Sequence, residues 1–295
     1  MAATAATREL VVPRRGERRE PAPRRVRLDQ LGLYAALTGV ALLFSLPFAW
    51  LILTSLKPPD QVFSDQLVPS EWHTKNYTDV FRYAPVETWL KNSLFIAVLG
   101  SATVVFSSAL IAYGFARLRF RGRNQLFALV IGTYMVPTAV TMVPTFIIWN
   151  KLHLVGTYYP LWANNLFGSA FYIFMLRQFL FTIPQDLVDA ARVDGASYLR
   201  IFAGIMLPLI KPALAAVAVF EFQAKWNDFM VPLIYLNKVS MYTMSLGLAS
   251  FKSDYEMQWS LWMAASVIFT LPMVALFFVA QRFFIEGIAT TGLKG

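Results

Sequence analysis

The chain has 295 residues, of which 57% are hydrophobic and 15% charged, and its mean hydropathy is +0.52. Soluble domains are roughly 45–50% apolar and about 25% charged, so the composition excludes an ordinary soluble enzyme and defines a membrane class. Cysteine is absent, which excludes disulfides and thiolate sites, and the net charge of +9 is concentrated in Arg clusters, the asymmetry of membrane topology rather than of a nucleic-acid-binding surface.

Residues 1–30 are rich in Arg, Pro and Ala and carry no apolar periodic face, so they read as a disordered tail. The first apolar run begins near Leu31 and is too long for the apolar region of a cleavable signal. Six stretches approach the ~20 apolar residues that a spanning helix needs: 31–56, 93–116, 126–150, 158–180, 212–236 and 259–281. Eight Arg lie in the first 27 residues, four more within residues 117–123, and four basic residues within 177–211. The intervening segments 57–92 and 237–258 hold 4 basic against 5 acidic and 2 against 2 residues. Basic residues gather on the cytoplasmic side, so both termini and the stretch 182–212 are expected there.

The third apolar stretch carries Pro137 and Pro144 near one helical face. Each proline removes a backbone donor, and in a membrane the freed carbonyls need partners. A packed, kinked helix and a moving, cavity-lining helix both meet that requirement. Residues 182–212 are the polar exception between apolar runs. Thr182 and Gln185 are spaced as a capping box around Pro184, and Leu187, Ala190, Ala191 and Asp194 follow at helical spacing. Gly195 is the residue best able to leave a helix in the left-handed conformation. Ser197 can cap a second helix with Tyr198, Ile201, Phe202 and Ile205 as its apolar stripe, ended by Pro208 and Pro212. Two short helices joined at a bend suit a membrane surface or a groove on another protein.

The same residues resemble the EAA loop of ABC importer permeases, E-A-A-x-x-D-G-A followed by I-x-L-P. Here the loop reads Asp189, Ala190, Ala191, then Asp194, Gly195, Ala196, then Ile205, Met206, Leu207, Pro208. The family's leading Glu is Asp189 in this chain, one methylene shorter. "NYTDVF" followed by "WLKNS", carried by Asn76, Tyr77, Trp89, Asn92 and Ser93, is similar to the outer-loop signature of carbohydrate permeases of the maltose-transporter type. "AYGFARLRFRGR", "WND" at 226–228 and the terminal "GIATTGLKG" are similar to other segments of that group, the last to its second membrane subunit.

The resemblance implies an all-α, type I ABC importer permease: six transmembrane helices over 31–285 with a bent coupling-helix pair in a bacterial-type cytoplasmic membrane. It further implies a second homologous permease subunit, two cytoplasmic ATPase subunits that bind ATP and Mg, and an extracytoplasmic solute-binding protein. In that group the EAA loop docks in a cleft of the ATPase. Residues 286–295 are expected to be flexible, with Gly292, Lys294 and Gly295 either reaching the ATPases or fraying. No cofactor, metal or catalytic residue of this chain's own is implied.

The fifth apolar stretch holds Glu221, Lys225 and Asp228 at spacings of four and three, on one helical face. Charges there are expensive in lipid and are expected to face the protein interior and pair. With Trp226 and Asn227 they either line a solute path or act as nearly neutral glue. Trp162, Trp226 and Trp259 suit sugar stacking, and equally the membrane interface. Other functions fit less of the chain. An intramembrane enzyme lacks a catalytic constellation, with no H-E-x-x-H motif and no His in a membrane segment beside a candidate Ser. A secondary transporter would use the charges of the fifth stretch and leave the bent helix pair without a task. A self-sufficient pump lacks a phosphate-binding G-x-x-x-x-G-K-[ST] loop.

Overall fold

The computed structural model describes the backbone of residues 28–251 and 258–291 and the side chains of 31–251 and 258–281. The chain divides into two compact units, residues 1–48 and 49–295. In the first, the described residues form the start of helix α1 (Leu28–Ser55), which is apolar on all faces. The expected tail of residues 1–30 lies almost wholly outside the described residues, the helix already starting at Leu28.

The second unit is built from α2 (Asn76–Tyr83), α3 (Val86–Arg117), α4 (Arg123–Tyr134), α5 (Thr138–Lys151), α6 (Tyr159–Trp162) and α7 (Ala170–Phe181). There follow α8 (Asp186–Val193), α9 (Tyr198–Ile201), α10 (Leu207–Leu209), α11 (Lys211–Asn227), α12 (Met230–Tyr235), α13 (Met244–Ser250) and α14 (Trp259–Thr291). Among the described residues there is no strand. Among the described residues three helices are long and apolar enough to cross a membrane, and the count reaches six if each bent pair is one span.

Contacts within the second unit decide how α4 and α5 run. At one end Arg117, closing α3, donates to the carbonyls of Leu180 and Ile183 beyond α7. At the other end Trp89 and Asn92, opening α3, donate to the carbonyls of Val239, Ser240 and Tyr242. There too the Phe95 ring lies 6.1 Å from that of Tyr158, and the Gly156 amide donates to Tyr235. The chain therefore leaves α3 at one end and reaches residue 156 at the opposite end. Helices α4 and α5 cross once between them.

They do so with a bend of 98°, which corrects the expectation of a single kinked helix over 126–150. The break falls at Met135–Pro137, where Pro137 cannot donate to the preceding turn, whereas Pro144 is accommodated inside α5. The fourth span is also interrupted, by a 3₁₀ turn over Ala163–Phe167 and Gly168 at φ +75°. Serines of α3 satisfy this break: Ser107 donates to the Asn165 carbonyl at 2.7 Å, and Ser108 accepts from the Ser169 amide at 3.1 Å. In lipid an unpaired backbone group costs several kcal/mol, so such partners are what make an interrupted span tolerable.

The outer-loop signature residues explain one another. Asn76 donates to the carbonyls of Ser55 and Lys57, and Tyr77 shares a 2.7 Å hydrogen bond with Ser55. Ser93 accepts from the Met244 amide at 2.7 Å, next to the bonds of Trp89 and Asn92 to residues 239–242. These residues staple the far end of the bundle. Trp259 joins them through edge contacts with Phe63 and Trp262, and Trp162 packs on Tyr159.

Candidate functional site

Helix α8 and the α9–α10 arm each stand at 79° to the span beside them, Tyr159–Phe181 and Lys211–Asn227. Spans tilt on average only about 20° from the bilayer normal, so both arms run close to the membrane plane. Gly195 makes the bend at φ +79° as its position suggested, with its amide bonded to Arg192 and that of Ala196 to Ala191. Ser197 caps the second arm by accepting from the Arg200 amide at 3.3 Å. The Arg192 guanidinium lies over the Tyr198 ring at 5.1 Å and bridges the two arms across the bend.

The expected capping box is absent. Thr182 donates to Phe179, closing α7, and Gln185 occupies the N-cap of α8 without a side-chain cap bond. Gln185 instead donates to the Asp189 carboxylate at 3.3 Å and accepts from Arg117 at 2.6 Å. The second arm contains a π turn over Phe202–Met206, with the Leu207 amide bonded to the Phe202 carbonyl. A one-residue wide turn of this kind is a frequent mark of functional helices.

Burial sorts the loop into two faces. Val188, Ala191, Ile201, Phe202, Met206 and Ile210 are buried against α3 and α7, with Ile205, Leu207 and Ala196 packed at the edge. Asp189, Ala190, Asp194, Gly195 and Pro208 are exposed. At the tip Val193 is 89% and Leu199 69% exposed, beside Leu187 at 45%. Exposed apolar side chains thus flank the Asp189 and Asp194 carboxylates on the face opposite the buried one.

The charges of the fifth span do not act as one triad. Glu221 is buried, lies 3.8 Å from Lys225, and accepts from the Asn165 amide at 2.6 Å. Asn165 also donates to the Gly100 carbonyl at 2.9 Å, and Lys225 lies across Gly100, where a Cβ would meet its Cγ at 3.2 Å. Asp228 falls past the end of α11 and accepts from the Val231 amide at 3.1 Å, capping the next helix instead of facing Lys225. Trp226 is fully buried between Phe222 and Phe269, with its indole N–H on the Phe269 carbonyl at 3.1 Å, so it is a core residue and not a cavity wall. Asn227 is exposed and donates to Gln223.

Asp228 faces a cavity of about 630 Å³ with Thr138, Thr141, Thr145, Asn164 and Tyr235. Sequence reading missed this hydroxyl-lined wall, although the spacing of the three Thr places them on one face of α5. It also missed Asn165, a polar group in an apolar run, and Arg117, whose charge served only to orient the chain. Gly292, Lys294 and Gly295 lie outside the described residues. Among the described residues no cluster has the composition of a metal site.

Six apolar spans, several of them broken, with a bent helix pair laid across one end, define a membrane permease of the ABC importer type. The chain belongs to the family of binding-protein-dependent transport system inner membrane components, whose model matches residues 104–289. It is similar to the arabinooligosaccharides transport system permease protein AraQ of Bacillus subtilis, with 34% identity over 87% of this chain and 92% of that protein. It is also similar to the osmoprotective compounds uptake permease protein GgtD of Synechocystis, with 33% identity over 90% of this chain and 93% of that protein. The fold matches, with a TM-score of 0.73 at 22% identity, a chain from the crystal structure of a bacterial ABC transporter involved in the import of the acidic polysaccharide alginate. That match covers 90% of this chain and 99% of the other. The protein is therefore a multi-pass permease subunit of an ABC importer.

Proposed function

We propose that the subunit carries a sugar or related carbohydrate into the cytoplasm, driven by ATP hydrolysis on partner ATPases that dock on residues 182–212. The observation that carries this reading is the exposed tip of Leu187, Val193 and Leu199 beside Asp189 and Asp194, on arms lying along the membrane plane. A surface of this kind, fixed from behind by a buried core, requires a partner to cover it. The basic residues at this end of the bundle, Arg117, Arg119, Arg121 and Arg123, support a cytoplasmic position for it.

The assembly contains this chain, a second homologous permease, two ATPases and an extracytoplasmic solute-binding protein. The carbohydrate class is supported by the name of the arabinooligosaccharide relative and by the cavity of Thr138, Thr141, Thr145, Asn164 and Asp228. The Thr141 and Thr145 hydroxyls donate to helix carbonyls, so with Asp228 they offer mainly acceptors to hydroxyl groups in a region otherwise apolar. The Glu221–Lys225–Asn165 cluster is internal glue: Asn165 ties the Glu221 carboxylate to the Gly100 carbonyl, and the Lys225 ammonium lies 3.8 Å from that carboxylate.

The chain has no Cys, so single cysteines can be introduced at Val193 or Leu199 without background. Crosslinking of either to a copurified ATPase, together with sugar-stimulated ATP hydrolysis by the reconstituted complex, is the expected result. Uptake that follows an ion gradient and needs no ATPase would overturn the reading.

A further inference from the structure

We propose that Tyr113 and Arg117 are positioning residues that clamp both arms of the coupling loop to α3, and that Arg117, through Gln185, aims the Asp189 carboxylate. The inference rests on the reading that this loop docks an ATPase. The two residues are four apart, on one face of the last turns of α3.

Arg117 holds the first arm. One of its terminal nitrogens donates to Leu180 and to Ile183 at 2.7 Å, and the other to the Gln185 side chain at 2.6 Å. The Leu180 carbonyl lies in the last turn of α7, where it also accepts from the Ile183 amide at 3.3 Å, and the Ile183 carbonyl lies two residues beyond the helix; a cation here opposes the helix dipole favourably. Only a planar guanidinium reaches three acceptors in fixed directions; an ammonium on a flexible stem does not. The Gln185 amide is then oriented from both sides, accepting from Arg117 and donating to one Asp189 oxygen. The second Asp189 oxygen is left to meet a cation on a partner.

Tyr113 holds the second arm. Its hydroxyl donates to the Tyr198 carbonyl at 3.1 Å, and its ring packs on Phe202 at 5.1 Å. Between the two grips, Val188 and Ala191 of α8 and Ile201 of α9 share one buried cluster with Ala112 and Ala116 of the same helix turns. The same helix, about 26 Å further toward its start, presents the Gly100 carbonyl to the Asn165–Glu221 cluster. A displacement of the docked loop is therefore passed to α3 at two points and carried as rigid helix into the middle of the bundle. Sequence position alone gives Arg117 a topological role; the geometry gives it a mechanical one.

The test uses the full complex reconstituted in lipid, with Arg117→Met, Arg117→Lys, Gln185→Met and Tyr113→Phe compared with wild type. Three quantities are read: ATPase captured per permease, ATP hydrolysed with and without sugar, and sugar transported per ATP. Arg117→Met is expected to capture the ATPase and lose at least about fivefold in transport per ATP, with Arg117→Lys recovering only part. Gln185→Met should lose about two- to threefold, and the Arg117→Met, Gln185→Met double variant should be no worse than Arg117→Met, because both cut one relay. A loss of transport that tracks yield, with transport per ATP unchanged, would reduce Arg117 to a folding role and overturn the proposal. If Arg117→Met fails to insert, Gln185→Met decides: it spares the α7 carbonyls, and wild-type transport per ATP in that variant sinks the relay. No ATPase captured by the wild-type chain would remove the docking reading itself, whereas equal capture and coupling in all variants would remove the clamp alone.

Discussion

Gly247 lies in α13, and the ring of Trp89 lies directly over it. A Cβ built at Gly247 would sit 2.2, 2.3 and 2.7 Å from three carbons of that ring. Gly→Ala inside a helix ordinarily stabilises by roughly 0.4–1 kcal/mol, because it restricts the unfolded chain. Here the sign is expected to reverse. Relieving the overlap requires a shift of more than about 1 Å from either partner, given that carbon contacts favour roughly 3.5–4.0 Å. Trp89 has no room to give: it is fully buried, edged by Phe251, and its indole N–H is tied to the Val239 carbonyl at 2.9 Å. Overpacking costs typically about 1–3 kcal/mol and a lost buried hydrogen bond about 1 kcal/mol more. After the propensity gain is subtracted, Gly247→Ala should destabilise by about 2–3 kcal/mol. Thermal unfolding of the purified subunit in detergent measures it as a lowered Tm, and Trp89→Leu in the same chain should make the substitution nearly harmless. A Tm equal to or above wild type in the single variant would refute the packing argument.

Other expectations are equally direct. Gly195→Val places a β-branched residue at φ +79° with no neighbour within 4 Å, so the cost is backbone strain alone, on the order of 1–3 kcal/mol; sugar-stimulated ATP hydrolysis should fall while insertion persists, with Gly195→Asn milder. Lys225→Met leaves the buried Glu221 carboxylate with Asn165 as partner and should lower the yield of intact subunit; breaking a buried pair costs roughly 3–5 kcal/mol, less any proton uptake. Adding Glu221→Gln should restore much of that yield, and no recovery would contradict the glue assignment. Asp228→Asn keeps an acceptor for the Val231 amide and should preserve yield while changing the sugar dependence of transport. Unchanged sugar preference, with Thr141→Val also silent, would separate the cavity from the solute path.

Much of this architecture was legible in the residues, because the signals were local. The spans followed from apolar length, and the bend at Gly195 from the one residue type that adopts positive φ without penalty. Failures came where identity depends on neighbours or on a boundary. Helical spacing put Asp228 with Lys225, but α11 stops at Asn227, so the periodicity no longer applied and the carboxylate turned to cap α12. Thr182 and Gln185 had capping-box spacing, but α7 extends to Phe181 and claims Thr182 for its own end. Trp226 carried no sign that Phe222 and Phe269 would enclose it. The reach of Arg117 to three acceptors at and beyond the end of α7 is a tertiary fact, invisible to charge counting.

The break between α4 and α5 also constrains how the chain is made. These helices have 12 and 14 residues, about 18 and 21 Å of rise. Neither alone matches a hydrocarbon core about 30 Å thick. The insertion machinery must therefore accept them as one continuous apolar stretch, and the 98° bend must develop afterwards, inside the bilayer. At the break the Thr133 and Gly132 carbonyls accept from the Val136 and Met135 amides at 3.2 and 3.1 Å, so the turn satisfies these groups within the chain as it forms, and it can develop in lipid without borrowing a partner for them.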